Sequence, residues 1–111
     1  FTGNHPIEDI MNILHHSESY IGVSSGLAWL SWALKKPVVM ISGFSSEWTE
    51  FSSKITRIIN KNVCNSCFNN HKLDAGDWNW CPVHKNTPRQ FECTKKINPE
   101  TVIKGIINSL S

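Results

Sequence analysis

The chain is 111 residues long, with 11 Lys and Arg against 9 Asp and Glu and a net charge of +2. That length is one domain or a part of one, and the near-balanced charge excludes the basic stripe of a nucleic-acid binder and any electrostatic hold on an acidic membrane. No apolar run approaches the length of a transmembrane helix. No secretory leader is visible either, and the first residue, Phe1, is not an initiator methionine.

The first predicted element is a helix opening at Pro6, a residue suited to the first helical position. Glu8 and Asp9 follow in its first turn, Ile7, Ile10, Met11 and Leu14 keep the 3.6 period, and His15 and His16 favour the negative pole of its dipole. Tyr20 to Ser24 reads as a short buried strand that breaks at Ser24-Ser25-Gly26 into a second helix, Leu27 to Lys36. Lys35 and Lys36 complement its end, and Pro37 stops it.

Pro37 to Ser42 is a second strand, apolar without alternation, as in a parallel strand covered on both faces. Strand, helix and strand with short turns make a βαβ crossover, right-handed in nearly all known cases. A loop over Gly43 to Phe51 is expected to bury Trp48, and Arg57 to Asn60 reads as a third strand. Trp29 and Trp32, three apart on the second helix, are expected to pack, and so are Trp78 and Trp80 further on. The final helix is well marked by Asn98 as N-cap and Pro99 at the first position, with Ile103, Ile106, Ile107 and Leu110 on one face.

Between the third strand and the final helix lie all four cysteines: Cys64-Asn65-Ser66-Cys67, then Cys81, then Cys93. The first pair is a C-x-x-C knuckle, a turn that points two thiolates at one metal ion. The other two are separated by eleven residues. Four thiolates suit zinc or a mononuclear iron. A stretch rich in Asn, Asp, Trp, Pro and His, with little apolar period, suits loops organised by a metal. Two disulfides are the alternative for an even cysteine count, and free thiols a third. His84, three residues after Cys81, is a substitute ligand in a Cys₃His set, with His71 a weaker one. Arg89 either holds a charged ligand or braces its loop.

Three strands and three helices do not close an ordinary parallel sheet, so strands outside these residues are expected to complete it. The reading is an α/β fold with a partial Rossmann-like parallel sheet and an inserted four-cysteine metal finger. Residues 1–62 are the Rossmann-like part, 63–95 the finger, and 96–111 a helix returning to the sheet. At the carboxyl end of the first strand, Ser24-Ser25-Gly26-Leu27 opens a helix. Unpaired amides and the positive helix pole favour phosphate there, although an ordinary capped βα turn has the same residues. No catalytic triad or acid–base pair is defensible from spacing, Asp74 and Asp77 included.

The segment Ile21 to Leu34, followed by Lys36 to Phe44, resembles the bacterial autotransporter O-heptosyltransferases. So do Val63 to Cys67, Gly76 to Pro82 and Pro88 to Thr94. The resemblance implies a GT-B glycosyltransferase of two Rossmann-like domains that transfers heptose from ADP-heptose to serine hydroxyls of autotransporter adhesins in the bacterial cytoplasm. It implies one structural iron on Cys64, Cys67, Cys81 and Cys93, with zinc the alternative, and a homo-oligomer. It carries donor binding over to Ser24, Ser25, Gly26 and Leu27. Related lipopolysaccharide heptosyltransferases carry aspartate where Ser24 stands and histidine where Trp29 stands, so Trp29 takes no histidine role. The family's catalytic base is an aspartate of the N-terminal domain, so no catalytic residue is assigned here. A reading of a different class is a metal-finger interaction module with no sugar-nucleotide site.

Overall fold

A computed structural model describes residues 4–70, 72 and 81–110. Its elements in chain order are α1 (Ile7–His15), β1 (Tyr20–Val23), α2 (Gly26–Ala33), β2 (Val38–Ile41), β3 (Ile55–Ile58), α3 (Cys67–Asn70), α4 (Glu92–Lys95) and α5 (Pro99–Ser109), with a 3-10 turn at Glu47–Thr49. The strands form one parallel sheet in the order β1-β2-β3.

The register divides the side chains between two layers. Tyr20 pairs with Val38, and Val38 with Ile55, which puts these residues on one face with Met40 and Arg57. There they meet α2 through Ala28, with Phe51 and Trp32 completing the cluster. The opposite face carries Val39, Ile41, Thr56 and Ile58, and α5 packs there against β2 and β3. Val38, Val39 and Met40 are fully buried, as expected of a strand covered on both sides. Because α5 lies over β2 and β3, the same face of β1 stays open, and Ile21 and Val23 are exposed.

The capping expected from sequence is present at α2 and α5. The Ser25 hydroxyl accepts from the Ala28 amide (3.4 Å) and the Asn98 side chain from the Glu100 amide (2.8 Å). Three expectations about the elements' bounds and faces are corrected. Helix α2 ends at Ala33, before Lys35 and Lys36. The Lys36 amide bonds the Ser31 carbonyl and the Lys35 amide that of Trp32, a Schellman closure with Lys35 in the left-handed position at φ 64°. Strand β3 is Ile55–Ile58, two residues earlier than Arg57 to Asn60. On α5 the inward face is Val102, Gly105 and Ile106, while Ile103, Ile107 and Leu110 are at least half exposed. Gly105 decides this, because a Cβ there would stand 2.8 Å from Ile58 Cδ1. The small residue brings the helix close to the sheet and turns the larger residues out.

The tryptophans divide in the same way. Trp29 meets Trp32 and Phe51 edge-on, and Trp32 stacks on Phe51 at 5.2 Å. Trp48, expected to be buried, is 77% exposed on the 3-10 turn. The loop is held instead by a polar cluster. The carboxylate of Glu50, with its side chain only 1% exposed, lies 3.5 Å from the Arg57 guanidinium. It also accepts from the Ser45 hydroxyl (2.7 Å), and Arg57 donates to the Ser45 carbonyl (3.0 Å). Trp78 and Trp80 lie outside the described residues.

Candidate functional site

In a parallel sheet every strand runs out at the same edge. The turn after β1, the loop after β2 and the run from β3 into the cysteine segment therefore all leave the carboxyl edge, where α/β sheets bind ligands.

The turn after β1 contains Ser24, Ser25, Gly26 and Leu27. Ser25 is occupied as the helix cap, and its hydroxyl lies 3.4 Å from the Tyr20 hydroxyl, a neighbour that no local pattern singles out. Ser24 and Leu27 are exposed. A Cβ built on Gly26 meets nothing within 4 Å. The protein's own packing therefore leaves space over the first amides of α2, and an approaching group finds backbone N–H donors there.

The cysteine segment is fastened to the loop after β2. The Ser66 amide donates to the Gly43 carbonyl at 2.6 Å. The Ser46 amide donates to the Asn69 side-chain oxygen at 2.6 Å. Gly43 lies against Cys93 so tightly that a Cβ on it would stand 2.8 Å from the Cys93 carbonyl oxygen. Ser66, inside the knuckle, takes the left-handed conformation at φ 65° and lets the chain reverse between Cys64 and Cys67.

These fastenings bring all four cysteines to the wall of one cavity of about 210 Å³, together with Phe44, His84 and Glu92. Each cysteine is a free thiol, Cys67 and Cys81 buried and Cys64 and Cys93 partly so. Burial pushes the Cys67 thiol up to about 11, and the neighbouring Cys64, Cys93 and Cys81 sulfurs add to the shift. Four sulfurs this close resist ionising together, and a bound cation removes that resistance. The donor set is soft, sulfur-rich and of the right number for tetrahedral zinc or iron, so these residues fit a thiolate-bound metal.

A second grouping overlaps the first. Ligand atoms of Cys64, His84 and Glu92 lie within 4.8 Å of one another. Glu92 is already engaged, however. Its oxygens accept from Arg89 Nη2 (2.8 Å), Arg89 Nε (3.0 Å) and the Cys64 amide (3.3 Å). Hydrogen bonding to Arg89 is the main reason its carboxyl sits below the usual range. The thiols are the better ligands, and Arg89 proves to brace its own loop. Glu92 carried no local sign of its role, since its partner Cys64 is 28 residues away. His71, Asp74 and Asp77 lie outside the described residues.

No family model matches the chain. Individual proteins do. It is 46% identical to the autotransporter heptosyltransferase Aah of Escherichia coli over 99% of its own length and 28% of that protein's. Over the same share of itself it is 46% identical to the autotransporter heptosyltransferase TibC of E. coli O78:H11, of which it spans 27%. A crystal structure of TibC, described as a dodecameric iron-containing heptosyltransferase in complex with ADP-D-β-D-heptose, superposes with a TM-score of 0.89 at 43% identity, over 98% of this chain and 29% of that one. A further relative, 42% identical over 84% of the chain and spanned to 22%, is BimC of Burkholderia thailandensis, named an inactive autotransporter heptosyltransferase.

The chain is thus a homologue of bacterial glycosyltransferases. More narrowly, its homologues are the autotransporter heptosyltransferases, and the chain spans little more than a quarter of their length.

Proposed function

We propose that this chain is the donor-binding C-terminal portion of a heptosyltransferase that moves heptose from ADP-heptose to serine hydroxyls of an autotransporter adhesin. The observation that carries the reading is the match along nearly the whole chain, at 46% identity, to proteins named autotransporter heptosyltransferases. Ser24, Ser25, Gly26 and Leu27 would receive the donor. The amides opening α2 and the Ser24 hydroxyl face the diphosphate, and the helix pole offsets the negative charge that grows on the leaving group. Cys64, Cys67, Cys81 and Cys93 would hold one structural iron, which supplies a covalent cross-link between the two halves of the finger; zinc is the alternative. Deprotonation of the acceptor serine belongs to a residue outside this chain, so these 111 residues alone bind and do not turn over. The intact protein works in the bacterial cytoplasm as a homo-oligomer.

Two measurements test this. Metal analysis of the purified intact protein, with a visible spectrum, is expected to give about one iron per chain and a thiolate charge-transfer band. Absence of any metal would remove the finger. The variant Gly26→Ala tests the donor site, because the added methyl enters open space and leaves the fold intact. Calorimetric affinity for ADP-heptose is expected to fall at least tenfold while the melting temperature holds. Wild-type affinity in this variant would take the donor away from the turn.

One observation favours a second reading, a metal-bearing interaction module without transfer activity: the relative BimC, 42% identical over 95 residues, is named inactive. That reading predicts the metal with no ADP-heptose binding, so the same calorimetry separates the two.

A further inference from the structure

We infer that Glu92 is a residue that positions the thiolate site, acting not as a ligand but through a hydrogen bond from the Cys64 amide, with Arg89 fixing its orientation. The inference rests on the reading of the four cysteines as metal ligands.

Glu92 is among the few buried charged residues, at 7% exposure. A carboxylate in that position is costly unless its lone pairs are filled. Two partners fill them with hydrogen bonds, and a histidine ring stands close by. Arg89 grips both oxygens in a fork, at 2.8 and 3.0 Å. The Cys64 amide donates to Oε1 at 3.3 Å. His84 Nε2 stands 3.7 Å from the same oxygen.

The connectivity gives this cluster its consequence. Glu92 precedes Cys93 in the chain, and His84 follows Cys81 by three residues. The carboxylate therefore joins the knuckle that carries Cys64 to the segment that carries Cys93, with the His84 ring of the Cys81 segment beside it. Arg89 is 62% exposed at its side chain, so the fork is anchored from the surface inward. With both carboxylate oxygens engaged by Arg89, Glu92 is already committed; its work is to hold Cys64 in register with Cys93 before the metal arrives. Groups that orient metal ligands in this way are worth about 10–100-fold in metal affinity.

The test uses the intact protein, stripped of metal under reducing conditions and titrated with Co(II), whose visible bands report the ligand set. Wild type is expected to bind one Co(II) with the spectrum of a four-thiolate site. Glu92→Gln keeps the volume but has a single acceptor oxygen, so it cannot take the Arg89 fork on both oxygens and also hold the Cys64 amide in place; a purely steric role predicts wild-type affinity. The inference predicts an affinity loss of about 10–100-fold with an unchanged band pattern. Arg89→Lys, which leaves Glu92 in place but cannot form the fork, is expected to lose less in the same direction and serves if Glu92→Gln folds poorly. An affinity within twofold of wild type in both variants overturns the inference. So does a changed band pattern in Glu92→Gln, which would make Glu92 a ligand. Failure of the wild type to bind Co(II) overturns the metal reading itself, and this inference with it.

Discussion

Gly43 is where the cysteine segment meets the loop leaving β2, and adding one methyl group to it tests that junction. No positive φ is required there, so alanine meets no backbone objection. The objection is space. The new Cβ would lie 2.8 Å from the Cys93 carbonyl oxygen, 2.9 Å from its Cβ and 3.0 Å from its carbonyl carbon, whereas ordinary contact begins near 3.4 Å. A shortfall of about 0.6 Å at closest approach must be taken up by backbone on one side or the other, and overpacking of this kind costs about 1–3 kcal/mol. The Gly43 carbonyl also receives the Ser66 amide at 2.6 Å, and losing that bond adds about 1 kcal/mol. Gly105→Ala is the matched control. Its Cβ also meets an atom at 2.8 Å, but that atom is the terminal methyl of Ile58, which can yield, and alanine gains about 0.8–1 kcal/mol of helix propensity. Thermal melting of the intact protein is expected to show a clear loss for Gly43→Ala and a change within about 1 kcal/mol for Gly105→Ala. Thiol titration of the metal-free protein should show one cysteine reacting faster in Gly43→Ala alone. If Gly43→Ala melts with the wild type and its thiols react at the wild-type rate, the junction does not lie at Gly43 and Cys93.

Three other outcomes follow from the same geometry. Arg57→Ala strands the Glu50 carboxylate, 1% exposed at its side chain, and should cost about 3–5 kcal/mol in denaturant melts, more than Arg57→Ala with Glu50→Gln combined. The Cys67 thiol is held protonated up to about 11 in the folded chain, against an ordinary 9.0. The unfolded chain therefore ionises first, and metal-free protein should keep this stability below pH 9 and lose it as pH rises toward 11, whereas metal-loaded protein, its thiolates already ionised, should not. Lys35→Gly relieves a left-handed lysine at φ 64° and should raise the melting temperature by the equivalent of about 1 kcal/mol or less; a loss would mean that the Lys35 stem packs usefully.

Local signals carried much of this protein. Asn98 and Pro99 declared the start of α5, and they cap and open it. The unbroken apolar run Val38 to Ile41 declared a strand covered on both faces, since only burial on two sides tolerates such a run. The cysteine spacing pointed to one gathering place, and the four thiols line one cavity. In the first two cases the cause lies within a turn or two of the residue concerned.

The tertiary structure decided what depends on partners far along the chain. Which face of α5 is buried turned on Gly105 meeting Ile58, and a helix with apolar residues on two faces gives no local reason to prefer one. Trp48 looked like core by its chemistry and is exposed, because Glu50 and Arg57 took the interior place beneath the loop. The approach of Gly43 to Cys93 and the reach of Glu92 to Cys64 join residues separated by 50 and 28 positions. Periodicity and capping report only on neighbours, so contacts at that range appear once the chain has closed on itself.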